Sequence, residues 1–238
     1  MSPRRIFILT GAGFSAKSGL STFRDKDGIW ARYSLEEVAS VEGYRRDPAK
    51  VLDFYNLRRA SLAGVQPNAA HHALAAIETA WDARGGEVTL CTQNVDDLHE
   101  RAGSRRLIHM HGELNKTRCD DCETVTLADG DLSVLLGCEA CGHIGGLRPH
   151  VVWFGEMPLD MERIGEALVT ADLFVSIGTS GAVYPAAGFV RIARAVGART
   201  LELNLEPSEG SRFFDESRHG AASQLVPVWV NEMLARVG

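Results

Sequence analysis

Near its start the chain reads Ile6-Phe7-Ile8-Leu9-Thr10-Gly11-Ala12-Gly13-Phe14-Ser15-Ala16. The apolar run predicts a buried strand, and the Gly-x-Gly-x-x-Ala pattern that follows predicts a tight turn into a helix. In such turns the glycines permit the turn and let backbone approach a pyrophosphate, while the helix N-terminus offers N–H groups to phosphate. A purely steric turn is the alternative. No clear second strand ending in an acid follows about 20 residues later, so a dinucleotide would not be held in the usual dehydrogenase way.

Short apolar runs alternate with helix-period segments along the chain, which is typical of a parallel sheet with helices on its faces. Asn68 and Asp160 are predicted to cap helices, Pro185 and Gly197 to flank another, and residues 228–237 to form the last one. We therefore expect an α/β fold with a Rossmann-like, mostly parallel sheet flanked by helices. The predicted strands are residues 5–9, 88–92, 107–109, 151–154, 173–177 and 200–203.

Two segments interrupt this alternation. Residues 34–66 are helical in pattern, polar and rich in arginine, and residues 117–148 hold cysteines, glycines and aspartates. We interpret both as insertions that form a small lobe, with a helical part at 34–66 and a zinc-binding part at 117–148. Residues 1–33, 67–116 and 149–238 then form the large Rossmann-like domain.

Four of the five cysteines form two closely spaced pairs, Cys119-x2-Cys122 and Cys138-x2-Cys141, with 15 residues between them. This spacing is typical of a tetrahedral zinc site, and four thiolates leave no coordination position for water, which favours a structural role. Two disulfides or scattered buried thiols are the alternatives. The fifth cysteine, Cys91, lies in a predicted strand and is interpreted as core packing.

The composition is that of an ordinary globular protein, with 238 residues, 45% hydrophobic residues and 24% charged residues. The net charge of -6 argues against nucleic acid or an anionic membrane as a partner. No apolar run approaches the roughly 18 residues of a membrane span, and residues 6–9 are shorter than the roughly 7–15 of a signal peptide core. We expect a cytoplasmic protein with reduced thiols, which favours zinc over disulfides.

Polar side chains follow two predicted strands. Gln93, Asn94 and Asp96 come after the second strand, at the sheet edge where ligands bind in open α/β folds, although a solvated helix cap is the alternative. His109 and His111 are predicted to share one side of an extended segment after the third strand. His111 precedes a glycine and has a side chain suited to general base catalysis, whereas a lone histidine is more often structural.

Taken in order, these segments resemble the sirtuin family of NAD-dependent protein lysine deacylases over nearly the whole chain. The resemblance implies one structural zinc and an NAD site, in which Phe23 and Arg24 belong to a flexible cofactor loop. It rests on residues 11–19, Thr22-Phe23-Arg24, Gln93-Asn94-Val95-Asp96, His111-Gly112, the four cysteines, Gly178-Thr179-Ser180, Asn204-Leu205-Glu206 and residues 221–223. The implied NAD-binding residues are Gly11, Ala12, Gly13, Ser15, Ala16, Phe23, Arg24, Gln93, Asn94, Asp96, Gly178, Thr179, Ser180, Asn204, Leu205, Glu206 and Ala222.

The same resemblance implies that an acylated lysine enters the cleft as an extended strand beside residues 152–156 and 181–184. Val152, Phe154, Gly155 and Glu156 are the implied substrate-binding residues. The acyl oxygen attacks the ribose carbon that bears nicotinamide, and His111 acts as general base on a ribose hydroxyl. The products are nicotinamide, an acyl-ADP-ribose and free lysine.

Tyr55 and Arg58 are three residues apart on a predicted helix, so both can face one pocket. An exposed amphipathic helix is the alternative, but the pair resembles the signature of the sirtuin branch that removes succinyl, malonyl or glutaryl groups. Lys26 departs from the small residue frequent in that branch, so acetyl-lysine stays a second candidate substrate.

Other functions fit the same parts. A mono-ADP-ribosyltransferase would use the same ribose carbon, a non-catalytic NAD-sensing zinc scaffold would keep the binding residues alone, and a dehydrogenase is what the glycine motif by itself suggests. We expect a monomer that acts on acylated lysine side chains of proteins, with no nucleic acid or membrane partner.

Overall fold

The computed structural model describes residues 3–20 and 33–236. Its largest element is a six-stranded sheet in which every recorded pairing is parallel and the strand order is β3-β2-β1-β7-β8-β9. Its strands are β1 (Arg5–Thr10), β2 (Glu87–Thr92), β3 (Leu107–His109), β7 (Leu173–Ile177), β8 (Arg199–Asn204) and β9 (Glu216–His219).

Helices cover both faces of this sheet because alternate residues of β1 point in opposite directions. Ile6 and Ile8 pack into one core with the helices α5 (Ala69–Asp82) and α9 (Ala222–Ala235). Phe7 and Leu9 pack into a second core with α7 (Met161–Val169) and α8 (Phe189–Ala195). Cys91 is fully buried in that second core, as predicted. The expected α/β sheet flanked by helices is confirmed.

A smaller structure stands beside the large sheet. Three antiparallel strands pair in the order β5-β4-β6 and are followed in sequence by the long loop before α7. These strands are β4 (Gly112–Cys119), β5 (Val125–Leu127) and β6 (Leu147–Val151), and the nearby helices are α2 (Leu35–Val38), α3 (Val41–Arg46) and α4 (Pro48–Ala63). A third core joins them, since Val38, Val51 and Phe54 pack with Leu114 and Trp153.

The helix ends agree in part with the prediction. Asn68 accepts a hydrogen bond from the N–H of Ala70 at the start of α5, as a capping residue should. Asp160 precedes α7 in the left-handed region with φ 54° and makes no side-chain cap bond. Gly197 lies just past α8 with φ 84°, the conformation for which glycine is favoured there.

Three predictions of elements were wrong. Residues 151–154 are not a strand of the large sheet, because β6 ends at Val151 and the run continues into the third core. The last helix begins at Ala222 rather than at 228, with Pro227 inside it. The polar edge strand β9 was missed. Among the helices of the described residues, none combines the length and the apolar character that a bilayer span requires.

Candidate functional site

A large cavity of about 930 Å³ lies at the carboxyl ends of four strands. Gly11, Gln93, Gly178 and Asn204 line it, and they follow or end β1, β2, β7 and β8. This is the edge where ligands bind in open parallel sheets, beside the point where the strand order reverses. Phe23, Arg24 and Lys26 lie outside the described residues. The other predicted site residues that also line it are Ala12, Gly13, Ser15, Ala16, Tyr55, Arg58, Asn94, Asp96, His111, Val152, Phe154, Gly155, Glu156, Thr179, Ser180, Leu205, Glu206 and Ala222.

The glycine turn is tied to the end of β7 by its own backbone. Gly11 N–H donates to Ile177 O at 3.0 Å, and Gly13 N–H donates to Gly178 O at 2.8 Å. A Cβ on Gly13 would come within 2.9 Å of that Gly178 oxygen, so only glycine permits this approach. Both N–H groups are already used. The two glycines therefore shape the floor of the cavity instead of offering these N–H groups to a ligand.

The helix that follows the turn is short. The helix α1 (Ala12–Ser15) has four residues and passes into a 3-10 turn that ends at Gly19. Because the helix dipole grows with aligned peptide units, so short a helix contributes little field at its N-terminus.

A buried polar network lies beneath one side of the cavity. Ser15 Oγ donates to Asp96 Oδ2 at 3.1 Å and accepts from Asn94 Nδ2 at 3.1 Å. His71 Nε2 lies 3.4 Å from the same hydroxyl, and burial lowers the pKa of His71 to about 4, which keeps the ring neutral. Burial also raises the pKa of Asp96. Predicted ligand residues are thus fixed in place by hydrogen bonds before any ligand arrives.

His111 follows β3 and directly precedes β4. Its Nδ1 lies 3.0 Å from the carbonyl oxygen of Gln93, which can only accept, so Nδ1 carries the proton and Nε2 is unprotonated in the neutral ring. Burial lowers the pKa of His111 and favours this neutral form, although the hydrogen bond to Gln93 acts in the opposite direction. The side chain is therefore suited to accept a proton at Nε2 near neutral pH.

His109 does not join His111 in the cavity. Its Nε2 lies 2.6 Å from Glu100 Oε1 and 3.9 Å from Glu113 Oε1. These three side chains form a separate cluster outside the cavity. The prediction that His109 and His111 lie on the same side of one extended segment was wrong. Met110 and His111 form a turn after β3 and do not extend that strand. The ring of His109 helps to fix that turn.

Gln93 and Asn204 connect the ends of three strands. Gln93 Nε2 donates to Thr179 Oγ1 at 3.1 Å, and Asn204 Nδ2 donates to Thr179 O at 2.8 Å. The residue after β2 and the last residue of β8 are thereby joined to the loop after β7. These amide N–H groups support the wall of the cavity.

Tyr55 and Arg58 lie on α4 and face the cavity, so the alternative of an exposed amphipathic helix is wrong for this pair. Tyr55 is 1% exposed, and its hydroxyl accepts a hydrogen bond from Trp153 Nε1 at 2.9 Å. The Arg58 Cζ lies 5.9 Å from the centroid of the Tyr55 ring. Burial lowers the pKa of Arg58, whereas the nearby Tyr55 and Asp96 act against that shift.

Residues 152–156 line the cavity next to α4, and several of their backbone N–H groups are hydrogen-bonded to other parts of the protein. Val152 N–H donates to His111 O at 2.9 Å, and Phe154 N–H donates to Ala39 O at 2.8 Å. Glu156 makes a bidentate pair with the guanidinium of Arg148, at 2.8 and 2.9 Å. Arg148 and Trp153 had no signal in the sequence, because their partners are set by the fold of the loop.

The four predicted cysteines meet at one point, away from the cavity. The Sγ atoms of Cys119 and Cys141 are 3.7 Å apart, as are those of Cys122 and Cys138, and all four lie within 4.8 Å of one another. A tetrahedron with Zn–S bonds of about 2.3 Å has S–S edges of about 3.8 Å, whereas a disulfide needs about 2.05 Å. The donor set fits zinc and excludes the disulfide alternative.

The two cysteine turns repeat one hydrogen-bond pattern. In the first, Glu123 N–H donates to Cys119 O and Cys119 N–H donates to Thr124 O. The second turn, which contains Gly142 in place of Glu123, has the same two bonds, from Gly142 to Cys138 and from Cys138 to His143. Glu123 and Gly142 have φ 57° and 78°, the left-handed values that this turn requires. Backbone bonds thus present each thiol pair to a common centre.

The comparisons agree with this geometry. A model of the Sir2 family matches residues 11–185. The chain is 61% identical over 233 residues to an NAD-dependent protein deacylase of Caulobacter vibrioides, with 98% of each chain covered. A solved Sir2 homologue in complex with NAD is 38% identical with a TM-score of 0.89, covering 99% of this chain and 91% of that one. A Sir2 protein bound to acetylated peptide is 26% identical with a TM-score of 0.80, covering 97% and 93%.

The chain belongs to the Sir2 family. The resemblance to sirtuins that its sequence motifs indicated is confirmed over nearly the full length.

Proposed function

We propose that this protein is an NAD-dependent protein-lysine deacylase that releases nicotinamide, an acyl-ADP-ribose and free lysine. One observation carries the proposal: His111, held through Nδ1 by Gln93, lines the same cavity as the glycine turn and the buried Asn94–Asp96 network. The 61% identical relative named as an NAD-dependent protein deacylase supports the same reaction class.

The cofactor would lie along the carboxyl edge of the large sheet. NAD supplies the ribose carbon that bears nicotinamide, which is the electrophile of the reaction. Asn94 and Asp96 would line the nicotinamide end, and the loop 178–180 would hold phosphate and ribose. The proposed set is completed by Gly11, Ala12, Gly13, Ser15, Ala16, Gln93, Asn204, Leu205, Glu206 and Ala222, with Phe23 and Arg24 added from outside the described residues.

His111 would be the catalytic base. With Nδ1 donating to Gln93 O, the ring presents Nε2 as its proton acceptor. A ring flip would break that hydrogen bond. General base catalysis of this kind contributes about a hundredfold to ten-thousandfold in rate. Because four thiolates fill the zinc coordination, the metal would have no part in this proton transfer.

The acyl-lysine would enter as an extended segment beside residues 152–156. Val152, Phe154 and Glu156 already donate their N–H groups to His111, Ala39 and Trp153. Within the described residues, the Gly155 N–H has no such bond. A substrate strand would therefore pair through the Gly155 N–H and through the carbonyl oxygens of Val152 and Gly155.

The acyl group would be an acidic one, such as succinyl or malonyl. Tyr55 and Arg58 bring a phenol and a guanidinium to the cavity that holds His111, and this pair suits a carboxylate. Lys26 lies outside the described residues, so acetyl-lysine stays a second proposed substrate.

The small lobe would consist of residues 34–66 and 117–148, with the large domain formed by 1–33, 67–116 and 149–238. The third core joins α2 and α4 of this lobe to β4 and β6, and both strands continue across the proposed boundaries into the large domain. The zinc at Cys119, Cys122, Cys138 and Cys141 would fix the far end of that lobe.

Compartment and assembly complete the proposal. The four free thiols of the cysteine cluster favour the cytoplasm, where thiols stay reduced. We also propose that the protein is a monomer. Sedimentation of the zinc-loaded protein at micromolar concentration checks this, and a dimer would contradict it.

The reaction is tested with a panel of acetyl, malonyl and succinyl peptides of one sequence, incubated with NAD and analysed by mass spectrometry. We expect nicotinamide and acyl-ADP-ribose only when an acylated peptide is present. Nicotinamide release without acylated peptide would instead indicate ADP-ribosyl transfer, and NADH formation would indicate a dehydrogenase. Binding of NAD without turnover of any peptide would leave only the sensing scaffold.

A further inference from the structure

Trp153 is the largest fully buried side chain of the cavity wall, and the proposed function assigns it no role. It is 2% exposed and follows β6 by two residues. Its indole Nε1–H donates to the Tyr55 hydroxyl at 2.9 Å, a contact between positions 98 residues apart in sequence. The indole lines the cavity and contacts one of the two residues proposed to bind the acyl carboxylate.

The chemistry of this bond is one-directional. An indole nitrogen is a donor only, whereas a phenol can donate one hydrogen bond and accept others. Tyr55 Oη must therefore accept from Trp153, and its own proton cannot point toward the indole. Within residues 3–20 and 33–236, that proton has no acceptor. It is left to donate to a ligand atom.

The indole itself is held from three sides. The Cζ atom of Arg148 lies 3.4 Å from the indole ring centroid, and the backbone N–H of Trp153 donates to Glu156 Oε2 at 2.8 Å. Glu156 is the same carboxylate that pairs with Arg148, so the three residues form a closed unit. The Tyr44 ring packs against the indole with centroids 4.9 Å apart. The donor direction of Trp153 is thus fixed by its surroundings.

We propose that Trp153 is a specificity-determining positioning residue, whose indole N–H keeps the Tyr55 hydroxyl as a donor toward the carboxylate of an acidic acyl group. This inference rests on the acidic-acyl part of the proposed function. Without the indole N–H, the orientation of the Tyr55 hydroxyl is no longer fixed, and the carboxylate loses a directed partner. An acetyl group has no carboxylate, so its binding depends less on this hydrogen.

Trp153→Phe tests this role because it removes the N–H and keeps an aromatic ring over Arg148. We expect the ratio of kcat/KM for succinyl peptide to that for acetyl peptide to fall about five- to tenfold, through KM for the succinyl peptide. Tyr55→Phe should lower the ratio at least as much. The double variant should be no worse than Tyr55→Phe alone, since Trp153 acts through that hydroxyl.

Trp81→Phe is the matched control. Trp81 is also buried, and its Nε1–H also donates to a single oxygen, Pro3 O at 3.0 Å, but it lies on α5 outside the cavity. Its loss should leave the acyl ratio as it is in the unaltered protein. Equal loss of both activities in Trp153→Phe, or additive effects in the double variant, would overturn the positioning role.

The outcomes separate the inference from what it rests on. Turnover of acyl peptides by the unaltered protein tests deacylation, and its succinyl-to-acetyl ratio tests the acidic preference. If deacylation occurs without any succinyl preference, the acidic-acyl proposal and this inference both fail while the reaction class stands. If the preference exists and Tyr55→Phe removes it but Trp153→Phe does not, this inference alone fails.

Discussion

The His111 imidazole and the Gln93 carbonyl are joined by a hydrogen bond of 3.0 Å between Nδ1 and O. Gln93 follows β2 and His111 follows β3, which pair in parallel, so the bond connects the ends of two neighbouring strands. It sets the tautomer of the ring through a backbone atom, which no side-chain substitution at position 93 removes.

His111→Ala should lower kcat/KM for every acyl peptide by at least a hundredfold, because the proton acceptor is lost while the cavity stays open. The measurement is nicotinamide release under matched peptide and NAD concentrations, with circular dichroism to check the fold. His72→Ala, at an exposed position on α5, is the control. A His111 variant that kept more than a few per cent of activity would exclude it as the base.

The pH profile should report the same ring. Burial lowers the pKa of His111, and a general base works in its unprotonated form. Activity is therefore lost as pH falls through this lowered pKa, and the acid limb of kcat/KM should lie below the ordinary histidine value of about 6.5. An acid limb centred well above that value would show that another group controls the reaction.

Cys119→Ser should remove the bound zinc and unfold the strands around it, since metal binding and local folding are coupled. The zinc content measured by elemental analysis is expected to fall from about one zinc per chain to near none, and activity should fall as a consequence. Cys91→Ser is the control, because Cys91 is a core residue of the large sheet outside the thiol cluster. Zinc retained in Cys119→Ser would disprove the ligand assignment.

Arg58→Met should reduce desuccinylation and demalonylation about tenfold to a hundredfold, because a charge-assisted bond to the acyl carboxylate is removed. Deacetylation should fall much less. Arg59→Met is a matched control on the same helix, since Arg59 donates to Asn56 Oδ1 and Gly130 O and does not line the cavity. The measurement is the kinetics of peptides that differ only in the acyl group. Unchanged desuccinylation would refute the proposed bond between Arg58 and the acyl carboxylate.

Gly178→Ala should raise KM for NAD about tenfold or more and destabilise the fold by about 1–3 kcal/mol. Gly178 has φ 64°, and a Cβ there would lie 2.4 Å from Phe14 N, so the glycine turn must move. Gly165→Ala on α7 is the contrasting control: nothing lies within 4 Å of its Cβ, and the change should stabilise the helix slightly. Thermal unfolding measures the stability of both variants, and NAD titration measures their KM for NAD. An unchanged KM in Gly178→Ala would contradict the proposal that residues 178–180 bind NAD.

Local patterns in the sequence were enough to predict most of the large sheet. The runs that became β1, β2, β3, β7 and β8 are apolar and bounded by turn residues, so strand formation follows from burial alone. The strand β9 reads Glu216-Ser217-Arg218-His219 and has no such pattern, because it lies at the sheet edge and is mostly exposed. The start of the last helix was predicted too late because Pro227 lies inside that helix, and proline is normally excluded from helix interiors.

The candidate site was predictable where one residue type is tied to one chemistry. The cysteine quartet, the glycine turn and His111 carry recognisable spacing, and the structure brings each to the expected place. Trp153 and Arg148 could not be found in this way, because their contacts depend on how the loop after β6 folds against α4. The bonds of the Gly11 and Gly13 N–H groups were equally hidden, as they involve β7, far along the chain.

The strand β4 begins immediately after His111 and ends on Cys119, so one segment of eight residues joins the proposed base to the proposed metal centre. At about 3.4 Å per residue its length is roughly 25 Å. A chelator that strips the metal would release the far end of this segment, and the disturbance would reach the proton acceptor along the strand. We therefore expect zinc supply to affect turnover from a distance, although the proposed reaction has no step at the metal.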